Sequence, residues 1–84
     1  MRSILARNAM RPEKHSLTLK GHRTSVSLEP EFWIAFRKQA AQEGKAINEL
    51  AAEIDADRGL DRGLASAIRV YVLNAAKNQA ADAT

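Results

Sequence analysis

No cysteine occurs among the 84 residues, which excludes a disulfide framework and a thiolate metal site. Apolar runs end after a few residues, far short of the roughly 20 needed to span a bilayer. No transmembrane helix is therefore expected. The opening Met1-Arg2-Ser3-Ile4-Leu5-Ala6-Arg7-Asn8 lacks the apolar stretch of a secretory signal, so a cytoplasmic location is the expectation. Also missing are a glycine-rich phosphate loop, a nucleophile elbow and a carboxylate pair spaced for acid–base work. Glu49, Glu53 and Asp57 share a helical face, and read as a solvated acidic stripe. His15 and His22 flank Gly21, but no Cys and no nearby carboxylate pair completes a ligand set, so no metal is expected. A chain this short has little room for a substrate cleft beside a core. Neither enzymatic activity nor a cofactor is expected.

What is present fits one small domain. Below roughly 70–80 ordered residues a single core is marginal unless stapled, and a second copy of the chain is the natural source of further buried area. The net charge of +3 conceals an asymmetry. Residues 1–23 carry six basic side chains against Glu13 alone, whereas residues 24–84 carry seven against nine acidic ones. The N-terminal part is thus basic and the remainder mildly acidic. A basic arm of this kind often follows a polyanion backbone, although a solvated, disordered terminus has the same composition.

Residues 1–14 show no sustained periodicity and contain Pro12; they read as a largely disordered basic arm, with a turn of helix around residues 3–9. Residues 15–78 read as the folded domain and 79–84 as a frayed tail. Ser16–Leu19 alternates weakly and Gly21 interrupts it. Arg23–Leu28 alternates cleanly, with Thr24, Val26 and Leu28 on one face and Arg23, Ser25 and Ser27 on the other. Pro30, between Glu29 and Glu31, suits the first turn of a helix. That helix is predicted over 30–43 with Phe32, Trp33, Phe36 and Ala40 as its buried stripe, Ile34 pointing outward and Gly44 as the stop. A second helix is predicted over 47–57, burying Ile47, Leu50, Ala51 and Ile54. A third is predicted over 62–77, with Asp61 as N-cap and Leu64, Ile68, Tyr71, Val72 and Ala75 inward.

One short strand feeding two helices has no partner within this plan, so it is expected to pair with a second copy of itself. Short polar side chains on such a ribbon can reach base edges in a major groove, and Arg pairs bidentately with guanine. The plainer alternative is the wet face of a half-buried strand.

The run from Arg23 through Ile54 resembles the ribbon-helix-helix superfamily of bacterial and phage DNA-binding proteins, of the MetJ and Arc type. The resemblance rests on the alternating strand, the acidic helix opening after Leu28, Phe32/Trp33/Phe36/Ala40, the Gly44 turn and Leu50/Ala51/Ile54. His22-Arg23-Thr24-Ser25 and the later Arg69-Val70-Tyr71-Val72-Leu73 are similar to a small bacterial subgroup with an extra C-terminal helix.

The resemblance implies a mostly α fold with one short strand, an intertwined homodimer with an intermolecular antiparallel ribbon, and double-stranded DNA as partner. It implies that Arg23, Ser25 and Ser27 contact bases and that the start of the second helix, around Ala46 to Asn48, presents backbone N–H groups to a phosphate; Lys20, Lys45 and Asn48 are the side chains expected to contact phosphate. Val26, Leu28, Trp33, Phe36, Leu50 and Ile54 would form the dimer core. The implied role is transcriptional regulator or repressor. A protein-interaction module, or an antitoxin with a protein partner on the third helix, is the alternative. Two departures stand out. Ala46 replaces the hydroxyl residue that would make a capping box with Glu49, a loss of about 1 kcal/mol. The residues before the strand are the other: if Ser16–Leu19 folds back on Arg23–Leu28, a dimeric sheet has four strands, too wide for a groove roughly 12 Å across.

Overall fold

The computed structural model describes residues 11–83, with side-chain surroundings through residue 80. The turn expected around residues 3–9, with Arg2 and Arg7, lies outside the described residues. The order is strand β1 (Glu13–Leu19), strand β2 (His22–Leu28), helix α1 (Pro30–Gln42), helix α2 (Ile47–Asp57) and helix α3 (Leu64–Ala83). The fold is mostly helical, with a two-stranded antiparallel sheet.

The two strands form a hairpin within one chain, paired from Glu13↔Leu28 to Leu19↔His22. The strand expected to stand alone therefore has a neighbour in its own chain, and Glu13 and Lys14 belong to the ladder. The physical reason is the turn. Lys20 and Gly21 both take positive φ, 53° and 83°, the two-residue geometry whose twist matches that of paired strands. Leu17 on β1 and Val26 and Leu28 on β2 then fall on one face and bury themselves against the helices.

Pro30 opens α1, and the Glu29 carbonyl accepts the first helical bond from the Trp33 N–H at 3.0 Å. The helix ends in a paired closure. Gly44, at φ 70°, donates to the Ala41 carbonyl at 3.1 Å, and Lys45 donates to that of Ala40 at 2.9 Å. A side chain at the Gly44 position would be strained in this left-handed conformation. α2 begins after Ala46 with no side-chain cap. Arg58 braces the next turn, bonding Asp55 at 2.6 Å and the Arg62 carbonyl at 2.6 Å. α3 starts later than its expected 62: the Gly63 carbonyl, not the Asp61 side chain, takes the entry position, accepting from the Ala67 N–H at 3.0 Å. It also continues to Ala83, through the segment expected to fray, and Gln79 donates to Gln42 at 2.8 Å.

Contacts from Arg69–Glu29 to Gln79–Gln42 show α3 running beside α1 in the same direction. The core joins all five elements, with Leu28, Phe36, Leu50 and Ile68 fully buried. Each such side chain contributes up to about 1.5–3 kcal/mol by leaving water. Of the residues expected in a dimer core, Val26, Leu28, Phe36, Leu50 and Ile54 are already buried within the single chain, and Trp33 is half-buried. Ile34 points outward as expected, 63% exposed.

Candidate nucleic-acid interface

Strand alternation divides the hairpin into two faces. The inner one packs on the helices; the outer one carries Lys14, Ser16 and Thr18 from β1 and Arg23, Ser25 and Ser27 from β2, all exposed. The register sets them opposite one another as Lys14↔Ser27, Ser16↔Ser25 and Thr18↔Arg23. In a two-residue hairpin these are the non-hydrogen-bonded pairs, whose Cα atoms approach to about 4.5 Å. The result is a flat patch of four hydroxyls and two cations. Glu13, the one carboxylate in the strands, falls on the opposite parity. Neither Lys14 nor Arg23 has an ion-pair partner among the described residues.

The hairpin brings the three expected base-contacting residues together and adds three that were not anticipated. Ser16 and Thr18 had a detectable signal in their alternation with Leu17 and Leu19. Lys14 had none, lying beside Pro12 in a stretch that reads as arm.

The backbone edges of the hairpin are partly occupied. The Thr18 N–H, which points away from β2, donates to Asn48 Oδ1 at 3.1 Å. This sets the N-terminus of α2 beside the outer edge of β1. On the other edge, Arg69 reaches the Ser27 carbonyl at 3.4 Å and bonds Glu29 at 2.9 Å, with its guanidinium 5.8 Å from the Phe32 ring centre. The Arg69 hydrogen bond is the main cause holding the Glu29 carboxyl below its ordinary range.

The three expected phosphate contacts fare differently. Lys20 stands exposed at the hairpin tip. Asn48 spends its carbonyl oxygen on Thr18 and keeps its NH₂ donors, the groups a phosphate needs. Lys45 is engaged elsewhere, at 2.6 Å from Glu53 and 3.3 Å from Glu43, and the Glu53 bond chiefly raises its pKa. A phosphate would have to displace two carboxylates there. Glu43 is itself bonded by the Tyr71 hydroxyl and by Gln39 at 2.7 Å, the Tyr71 bond being the larger cause of its lowered pKa.

The histidines are not brought together. His22 pairs with Leu19 at the tip, while His15, opposite Val26, lies four residues along the ladder, about 13 Å away. His15 stacks on Trp33, ring centres 3.8 Å apart and planes 7° from parallel. No group of three His, Cys or acidic side chains able to hold a metal occurs among the described residues. Nor is any described helix long and apolar enough to cross a membrane. An open groove of about 360 Å³ between the hairpin tip and α2 has one carboxylate, Asp55, already paired to Arg58.

A family model described as a ribbon-helix-helix domain matches residues 12–76, a span that takes in both strands and most of α3. No curated protein and no solved structure gives a match.

Proposed function

The chain belongs to the ribbon-helix-helix domain family, and on that premise we propose that it is a sequence-specific binder of double-stranded DNA. It acts as a homodimeric transcriptional regulator whose reading surface is the outer face of the hairpin. The observation that carries this reading is the composition of that face: hydroxyls and cations without a carboxylate, while residues 24–84 taken together are mildly acidic. Arg23 suits the O6 and N7 acceptors of guanine, and Ser25 and Ser27 are short enough to sit against base edges and use either donor or acceptor. Lys20, exposed at the tip, and the NH₂ of Asn48, beside the β1 edge, would hold phosphates flanking the ribbon. Lys45 is left out of this assignment because its ammonium is held by two carboxylates.

The alternative, a protein-interaction module or an antitoxin, draws on Leu73 of α3, 55% exposed, and on Leu60, fully exposed on the turn that Arg58 braces. Against an antitoxin of the kind that folds on its target, α3 already buries Ala67, Ile68 and Val72 in the core. Regulation through DNA is the better-supported reading, and no enzymatic role is proposed.

The test is affinity for duplex DNA across salt. Lys14, Lys20 and Arg23 from two protomers supply six cations. Neutralising six phosphates predicts a roughly thousandfold loss of affinity between about 50 and 200 mM salt. Absent or salt-insensitive binding would leave the interaction module as the reading to pursue.

A further inference from the structure

We infer that α3 forms part of the surface on which a second copy of the chain docks, with Leu73 as its apolar anchor and Arg69 as its link to the sheet. This rests on the homodimer proposed above and names a surface that holds it together.

Arg23, Ser25 and Ser27 belong to the non-hydrogen-bonded pairs of the hairpin, so their backbone N–H and carbonyl groups point away from β1. An antiparallel β2 from a second copy is the natural partner for that edge, and its backbone would run about 4.8 Å beyond it. The sheet of four strands so formed spans about 14 Å between its outer backbones. That sets β1 over the rims of a groove roughly 12 Å across and the central β2 pair over its floor. The Arg69 guanidinium reaches the line of the incoming strand, 3.4 Å from the Ser27 carbonyl. It can yield that contact and keep the shorter one, to Glu29 at 2.9 Å. A copy paired with β2 therefore lies against α3.

A specific interface buries about 1,200–2,000 Å² in total over both partners, more than one strand pair supplies. The apolar residues expected to join two copies add little, because Val26, Leu28, Phe36, Leu50 and Ile54 are already buried within the single chain. The remaining area has to come from apolar surface that is still open. Among the described residues three large apolar side chains are more than half exposed: Ile34, Leu60 and Leu73.

Their places in the fold separate them. Leu73 follows Arg69 by four residues on α3, so the two share a helix face. Exposed Ser66 and Ala76 lie on that face as well, small enough for another backbone to come close. Ile34 is two residues from Phe32, the ring under Arg69, and so points to the other side of α1. Leu60 sits in the turn braced by Arg58, which borders the hairpin tip rather than its Ser27 end. Of the three, Leu73 is the one that adjoins the β2 edge.

Sedimentation equilibrium of the full chain measures the dimer dissociation constant for the wild type, Leu73→Glu and Ile34→Glu, with circular dichroism checking each fold. A dimer holds two Leu73 side chains, each about half exposed in one copy, so Leu73→Glu is expected to weaken association about tenfold or more. Ile34→Glu is expected to match the wild type. Should Leu73→Glu not fold, Leu73→Cys probes the same face, since the chain has no other cysteine. Its thiol is expected to react with a maleimide more slowly at dimeric than at monomeric concentration, and that of Ile34→Cys equally fast at both. A wild-type constant in Leu73→Glu, a loss shared by Ile34→Glu, or equal reactivity of Leu73→Cys at both concentrations overturns the α3 surface. The homodimer and the DNA reading then stand, and Leu73 is open to a different protein. A wild type that stays monomeric at every concentration overturns the homodimer and this inference with it.

Discussion

The backbone N–H of Thr18 donates to Asn48 Oδ1 at 3.1 Å, across 30 residues of sequence. This bond fixes the hairpin edge against the start of α2 and makes Asn48 a structural residue as well as a proposed phosphate contact. Asn48→Ala is expected to lower stability by about 0.5–1 kcal/mol, since the N–H it abandons can turn to water. Urea unfolding measures it. A variant as stable as the wild type would mean the bond contributes nothing to docking the hairpin.

Lys20 occupies a left-handed position that Asn adopts far more readily, and Asn-Gly is the preferred sequence for this turn. Lys20→Asn should therefore stabilise the chain by about 0.5–1 kcal/mol. If Lys20 also meets a phosphate, the same variant should reduce the salt slope of DNA binding by about one for each protomer bound. Gained stability with an unchanged slope would remove Lys20 from the interface.

The His15–Trp33 stack leaves His15 Nε2 buried without a hydrogen-bond partner. His15→Phe preserves the stack and removes the unpaired nitrogen. The expected result is a stability equal to the wild type or higher by about 1 kcal/mol, read from thermal unfolding followed by the fluorescence of Trp33, the only tryptophan. A loss of stability would show that the ring nitrogen is satisfied in solution.

Tyr71, the only tyrosine, is pushed up to about 12, first by burial and then by its hydrogen bond to Glu43. Because its folded value lies above the ordinary 10, its contribution to stability is complete below pH 10 and is lost as pH rises toward 12. Glu43 and Glu29 work in the other direction. Both are held below the ordinary 4.5, so their contributions are present above that pH and disappear as it falls lower. Phenolate absorbance should rise with a midpoint near 12 in the folded chain and earlier in Glu43→Gln. A midpoint in Glu43→Gln no earlier than that of the wild type would contradict the Tyr71–Glu43 contact.

Much of this fold is readable from local chemistry. Pro30 between two glutamates, the Phe32/Trp33/Phe36/Ala40 stripe and Gly44 place α1 to within a residue, and α2 follows directly from the Ile47/Leu50/Ala51/Ile54 spacing. The hairpin is harder. Lys20-Gly21 is not an Asn-Gly turn, and Glu13-Lys14-His15 offers no apolar residue at the inner positions, because His15 fills one by stacking on Trp33. Without that contact β1 reads as the end of a basic arm, and β2 as a strand seeking a partner in another molecule. The fate of Lys45 was likewise illegible: its carboxylate partners are Glu43, two residues before it across the turn, and Glu53, eight residues on.

Backbone amide spectra recorded while duplex DNA is added would test the DNA-reading surface residue by residue. The shifts are predicted to concentrate on Lys14, Ser16, Thr18, Arg23, Ser25 and Ser27, with a smaller group at Ile47 and Asn48, leaving the exposed side of α1 around Ile34 unchanged. Shifts centred on the helices with the hairpin face silent, or none at all, would contradict it.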